Sequence, residues 1–234
     1  MNKKINNFWS CRATGLSHLS TGIGIQDFCC GRHFSWGDII VSADGVGSCP
    51  NSAAGSQNAC RAAVLAADHY LRKGIVDYEK ISSLLHELWL ESLEESADTA
   101  CTTCRTAFLF GGYIHTLSLG DGMTALCGTT PETTVILQDE KHFVNETSAL
   151  SSVFSFQEWQ CGASPQKDFC GVLLCTDGVS ERYKKKTRPL FACAVMENLA
   201  PLERRKRYAQ LKKLLKKITA EHDDDKTIIG ISWK

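Results

Sequence analysis

Four aspartates stand at or beside the ends of short apolar runs. Asp44 follows Ile39-Ile40-Val41-Ser42-Ala43, Asp121 follows Leu119-Gly120, Asp177 follows Leu174-Cys175-Thr176, and Asp224 stands just before Thr227-Ile228-Ile229. Asp27, beside Gln26, adds a further acid within the stretch 22–30. Brought to one sheet edge, such carboxylates would repel one another unless cations sat among them. Hard oxygen donors of this kind suit Mg²⁺ or Mn²⁺ rather than zinc. Asp44, Asp121 and Asp177 are each followed by glycine, and any one Asp-Gly step is equally the mark of a tight turn. The recurrence after apolar runs, with an acidic run before the last one, favours a metal site.

The elements that must position these acids are legible in outline. Residues 8–14 read as a short strand and 15–18 as a loop. Residues 22–30 read as a strand carrying Gln26 and Asp27, hairpin-paired with a strand at 38–44. Gly45 and Gly47 read as a turn in which the backbone takes angles that other residues resist. Residues 51–73, rich in alanine, predict a thin helix capped by Asn51 or Ser52 and stopped by Gly74. A second helix is expected over 78–95, beside the first on one face of a sheet. Strands follow at 105–111 and 113–119, joined through Gly111-Gly112, then at 123–128 and 133–138. The segment 139–168 has no clear period. A strand at 171–176 ends in Asp177-Gly178, a basic helix covers 201–219, and a final strand covers 227–233. Strands, two helices, many strands, a helix and a strand do not alternate as in a parallel α/β fold. The order predicts antiparallel sheets with helices outside, in one domain spanning 1–234.

Lys plus Arg and Asp plus Glu both number 26, so net charge is zero and nothing global draws the chain to nucleic acid or an acidic membrane. Apart from the basic residues of MNKKINNFWS no secretory signal is visible, and no apolar run approaches the roughly 20 residues of a membrane span. The 12 cysteines are scattered, many of them inside apolar strands, which predicts buried free thiols in a reducing cytoplasm.

Taken together and in order, Gln26-Asp27, Ser42-Ala43-Asp44-Gly45-Val46-Gly47, Thr102-Thr103, Leu119-Gly120-Asp121-Gly122, Leu174-Cys175-Thr176-Asp177-Gly178 and Asp224-Asp225-Lys226-Thr227 resemble the metal-dependent type 2C serine/threonine protein phosphatases. Gly15-Leu16-Ser17-His18 and Asn145-Glu146-Thr147 resemble a compact prokaryotic branch of that family. The resemblance implies an α+β fold, a four-layer α-β-β-α sandwich of two antiparallel sheets flanked by helix pairs. It implies hydrolysis of phosphoserine and phosphothreonine in proteins by a binuclear Mn²⁺- or Mg²⁺-activated water, without a covalent enzyme intermediate. Asp44 would bridge two ions with the Gly45 carbonyl as a further ligand. Asp177 and Asp224 would hold one ion, Asp27 would support the centre, and Asp121 with Asp177 would hold a third, weaker ion. Asp44 and Asp177 would thus carry catalysis. Partners would be a phosphorylated protein and the serine/threonine kinase that it opposes.

Three positions depart from the family pattern. Gln26 stands where a glutamate is usual, so it would be a weak ligand lacking one negative charge. Val46 stands where eukaryotic members carry a histidine, so a metal-bound water would have to protonate the leaving group. Gly22 stands where many members place a phosphate-binding arginine, and Arg12 is the substitute. These departures motivate a rival reading, a pseudophosphatase that binds phosphoproteins as a regulatory module. A phosphohydrolase of small molecules is a third. Cys101-Thr102-Thr103-Cys104 has zinc-ligand spacing but no second pair. His18 reads as an ordinary loop histidine, Lys184-Lys185-Lys186 as a solvated turn, and the basic helix as a surface helix covering a sheet.

Overall fold

A computed structural model describes residues 7–137, 148–219 and 223–233. The chain divides into two compact units, one of residues 1–25, 122–138 and 165–234, the other of residues 26–121 and 139–164. Each is built on one five-stranded antiparallel sheet, so the class is α+β, as expected.

The first unit contains β1 (Asn7–Ala13), β6 (Met123–Cys127), β7 (Val135–Leu137), β9 (Gly171–Cys175) and β10 (Lys226–Ser232), in the order β1-β10-β9-β6-β7. Its helices are α1 (Leu16–Thr21), α4 (Asp177–Ser180), α5 (Arg188–Leu199) and α6 (Arg204–Thr219). Trp9, Cys11, Met123, Ala125, Leu173, Cys175 and Ile228 form one apolar sheet face, covered by Phe191, Val195, Leu211, Leu215 and Ile218 of α5 and α6. Burial of such β-branched and aromatic surface is the main stabilising term, about 25 cal/mol per Å² removed from water. On α6 the basic residues point outward, as expected, with one exception. Arg207 is buried, and its guanidinium donates to the carbonyls of Leu199 (2.7 Å) and Ala200 (2.9 Å) at the end of α5. It thereby satisfies acceptors that a helix C-terminus leaves open.

The second unit contains β2 (Phe28–His33), β3 (Asp38–Ala43), β4 (Cys104–Phe110), β5 (Tyr113–Leu119) and β8 (Gln160–Pro165), in the order β2-β3-β4-β5-β8, with helices α2 (Ser52–Leu71) and α3 (Tyr78–Glu91). The hairpins β2–β3 and β4–β5 are those expected. Ala59, Ala62, Ala63, Ala66 and Ala67 of α2 are buried, and their small side chains let the helix lie close to Ile39, Val41 and Phe108. Trp89 of α3 is fully buried and donates Nε1–H to the Gly55 carbonyl of α2 at 3.1 Å, fixing the helix pair.

Several expectations are corrected. Gln26 and Asp27 precede β2 rather than lying within it, because the ladder with β3 begins at Phe28↔Ala43. Residues 16–21 are a helix, not a loop. Asp177-Gly178 follows the expected strand and there opens the short α4. Helix α5 and strand β8 occupy sequence that gave no signal. Asn145-Glu146-Thr147 lies outside the described residues. Among the described residues no helix is long and apolar enough to cross a membrane, and none of the 12 cysteines, all of them described, is in a disulfide.

Candidate metal centre

In the second unit Asp44 is placed by its main chain. It leaves β3 just as the sheet ends, and the Thr102-Thr103 segment clamps its peptide groups. Asp44 N–H donates to Thr103 Oγ1 (3.0 Å), and the Asp44 carbonyl accepts from Thr103 N–H (2.8 Å) and Thr102 Oγ1 (2.8 Å). Both threonines are buried, at 0% and 5% exposure, so these bonds are shielded from competing water. Gly45 follows because the space is already full. A methyl group there would lie 2.8 Å from both Cβ and the carbonyl oxygen of Ser52, and 2.9 Å from the Gln26 carbonyl. The Gln26 carbonyl in turn accepts from Ser56 Oγ of α2, which ties residues 26–27 to the helix start. Asp27 and Gln26 are both buried, at 1% and 7% exposure. Asp121 sits exposed at the β5 end, its peptide held by the buried Arg105. Arg105 Nε donates to the Asp121 carbonyl (2.6 Å) and its terminal nitrogen to the Gly120 carbonyl (2.5 Å).

In the first unit Asp177 and Asp224 come together. They present carboxylate oxygens within 4.8 Å of each other, both partly exposed. Their carriers are fastened side by side. Thr176 N–H donates to the Thr227 carbonyl (3.1 Å) and Thr227 N–H to Thr176 Oγ1 (2.9 Å). A side chain on Gly178 would collide with the Asp225 carbonyl, so only glycine lets the two segments approach this closely. Asp224 Oδ1 accepts from Asp225 N–H at 2.8 Å. Lys226, fully buried, extends its ammonium to the Asp224 carbonyl.

The acidic segment is also held from the N-terminal side. Asp225, 1% exposed, accepts from Gly15 N–H at 2.8 Å. His18 Nδ1 lies 3.0 Å from Asp225 Oδ2, close enough for attraction though not aligned as a hydrogen bond. Ser17 donates both N–H (3.2 Å) and Oγ (2.8 Å) to the Asp223 carbonyl. His18 is therefore no ordinary loop histidine. From sequence alone His18 is discounted, and Asp225 and Lys226 take no role of their own, although three consecutive aspartates followed by lysine are the available signal. Arg12 lies exposed on β1, opposite Thr227. The Cys101/Cys104 spacing makes no pair. Cys104 is buried in the core, where desolvation pushes its thiol up to about 12, while Cys101 turns to the Asp98 carbonyl.

A family model described as protein phosphatase 2C matches residues 14–216, and the chain belongs to that family. No curated protein matches the sequence. Among solved structures, the catalytic domain of the serine/threonine protein phosphatase PstP, in complex with two manganese ions, is 16% identical with a TM-score of 0.63, and 97% of each chain is covered. The serine/threonine phosphatase Stp1 from Staphylococcus aureus is 12% identical with a TM-score of 0.66, covering 99% of this chain and 96% of that one. A bacterial serine phosphatase is 12% identical with a TM-score of 0.67, with 98% of each chain covered. At such identities the likeness establishes the fold.

Proposed function

We propose that the chain is a metal-dependent protein phosphatase acting on phosphoserine and phosphothreonine, and that residues 1–234 work as one phosphatase domain. The carrying observation is the pair Asp177 and Asp224, whose carboxylate oxygens lie within 4.8 Å. At that separation two negative charges repel by about 3–4 kcal/mol at an effective dielectric constant of 20. A hard cation with oxygen ligands at roughly 2.0–2.6 Å spans the gap and removes the penalty. The donor set thus fits Mg²⁺ or Mn²⁺, and the relative solved with two manganese ions supports the same choice.

In this reading Asp44 and the Gly45 carbonyl join Asp177 and Asp224 as ligands of two ions. Asp27 supports them, and Gln26 contributes at most a neutral oxygen. Asp121 with Asp177 takes a third, weaker ion. Bound ions would neutralise phosphate charge and make water a nucleophile near neutral pH. The protein's own contribution is pre-organisation. Thr102 and Thr103 fix where Asp44 leaves the sheet. Thr176 and Thr227 fix Asp177, and Asp225, Lys226 and Ser17 fix the segment that bears Asp224. Arg12 supplies a cation for the phosphate, and Val46 supplies no proton. The substrates would be phosphoproteins made by a serine/threonine kinase, and 12 cysteines outside any disulfide fit a reducing cytoplasm.

The test is hydrolysis of a phosphothreonine peptide with Mn²⁺, with Mg²⁺ and with EDTA. Turnover should require metal. Asp44→Asn or Asp177→Asn should reduce it by more than the roughly 10–100-fold typical of outer-shell changes. Absence of metal-dependent turnover on any phosphorylated substrate would sink the proposal. The second reading, a pseudophosphatase, rests on Gln26, Val46 and Gly22 and requires phosphopeptide binding in calorimetry without turnover. Hydrolysis confined to small phosphate esters would point instead to a small-molecule phosphohydrolase.

A further inference from the structure

The loop leaving Asp44 is laced to the segment 98–103, all within the second unit. Val46 N–H donates to the Cys101 carbonyl (2.9 Å), Asn51 N–H to the Thr99 carbonyl (2.8 Å), and Asn51 Nδ2 to Thr99 Oγ1 (3.0 Å). Within this lacing two thiols face one acceptor. Cys49 Sγ lies 3.4 Å from the Asp98 carbonyl oxygen, and Cys101 Sγ lies 3.6 Å from the same oxygen. The two sulfurs therefore stand no more than 3.4 + 3.6 = 7.0 Å apart, and each thiol is also a direct neighbour of the other. Their backbones are already fixed around Val46, whose N–H donates to the Cys101 carbonyl and whose carbonyl accepts from Cys49 N–H at 2.8 Å. Cys49 is 9% exposed and Cys101 is more open, so a small oxidant reaches the pair from the Cys101 side.

We propose that Cys49 and Cys101 are a modification site, a dithiol that closes reversibly to a disulfide and staples the Asp44 loop to the segment that clamps it. The oxidant class is a small-molecule disulfide. The Cys101 thiolate attacks one sulfur of that disulfide, whose S–S bond breaks, and the released thiolate takes up the proton that Cys101 lost. The Cys49 thiolate then attacks the Cys101 sulfur of the mixed disulfide. The second small thiol leaves with the proton from Cys49. Two protein thiols are oxidised by two electrons and one small disulfide is reduced to two thiols. Burial and the Cys49 thiol push the Cys101 thiol up to about 11, so little thiolate is present near neutral pH and closure is faster as pH rises. The closed loop joins residues 52 positions apart in sequence (101 − 49), long enough for the cross-link to stabilise the unit appreciably.

The test needs no assumption about catalysis. Intact protein is incubated with oxidised glutathione between pH 7 and 9, quenched in acid, digested without reductant and mapped by mass spectrometry. The expected product is a Cys49–Cys101 linked peptide, about 2 Da lighter than its two thiol parts, formed faster at pH 9 and abolished by dithiothreitol. Oxidised protein should melt roughly 10 °C higher than reduced protein, and Cys49→Ser should instead retain glutathione on Cys101. Glutathione held on Cys101 of the wild type, linkage of other cysteines such as Cys30 with Cys60, or no linkage at all would overturn the proposal. An effect of the disulfide on hydrolysis rests on the phosphatase reading. A linked peptide with no hydrolysis in either redox state would reject that reading and leave the staple standing.

Discussion

Gly45→Ala probes the packing beneath Asp44 directly. The added methyl would meet Ser52 Cβ and the Ser52 carbonyl oxygen at 2.8 Å and the Gln26 carbonyl oxygen at 2.9 Å. Relaxed contacts to carbon lie near 3.5–4.0 Å, so each neighbour must retreat by roughly 0.7 Å. Two of the three are backbone atoms, one on the first residue of α2 and one in the buried segment before β2, and neither can rotate away. Overpacking of this kind costs about 1–3 kcal/mol, and immovable neighbours place this case at about 2–3. That is a roughly 30- to 150-fold loss in the folding equilibrium. Urea unfolding should show a lower midpoint with an unchanged slope. Gly47→Ala is the internal control. Its methyl would have nothing within 4 Å and its φ is not left-handed, so it should be neutral or stabilise by up to about 1 kcal/mol through the unfolded chain. Equal stability of Gly45→Ala and wild type, or equal damage at both glycines, would refute the reasoning.

Thr103→Val keeps the side-chain shape but removes the acceptor 3.0 Å from Asp44 N–H. It should destabilise by about 1–3 kcal/mol in the same assay, and Mn²⁺ affinity in calorimetry should fall with it. Asp225→Ala takes the acceptor away from Gly15 N–H and should cost about 1–3 kcal/mol, whereas Asp225→Asn keeps a carbonyl oxygen there and should cost less; the reverse ranking would contradict the assigned contact. His115 packs against Phe108 with ring centroids 4.9 Å apart, and burial lowers its pKa from the ordinary histidine value of 6.5. Below pH 6.5 the unfolded chain therefore binds a proton that the folded chain refuses, and stability falls with acid by up to about 1.4 kcal/mol per pH unit until the folded pKa is reached. Denaturation of His115→Gln between pH 5 and 8 should show a flatter profile than wild type, and an identical profile would exclude this source.

Much of this was legible in the sequence wherever a segment has one wet and one dry side. The alanine helix α2 is of that kind, whereas the hairpins were legible from Gly31–Gly37 and Gly111-Gly112 standing between apolar runs, since β3, β4 and β5 are buried almost throughout. Helix α5 was silent because its exposed side, at Leu190, Glu197 and Asn198, carries an apolar residue as the buried side does, which blurs the contrast of period 3.6. Helix α1 buries no residue and so shows no stripe. Strand β8 does alternate in burial, but Gly162 and Pro165 within it read as turn residues. The aspartates were legible from their recurrence at the ends of apolar runs, but the role of the glycines beside them was not. Gly45 reads from sequence as a turn with special backbone angles, whereas at Gly45 and Gly178 the missing Cβ makes room for another segment's backbone. Composition cannot separate those two uses of glycine. The role of Asp225 was equally hidden, since its partners Gly15 and His18 lie some two hundred residues away in sequence.

Arg105 has a consequence for how Asp121 can change. The guanidinium grips the carbonyls of Gly120 and Asp121, which are groups that every residue type possesses. The location of the loop tip is thus written at position 105, and the chemistry displayed there is written separately at position 121. Exchange of Asp121 for Asn, Ser or Glu should leave the tip standing where it is, so the identity of that side chain can drift or be engineered as an independent variable, while a change at Arg105 would move the platform under any residue placed on it.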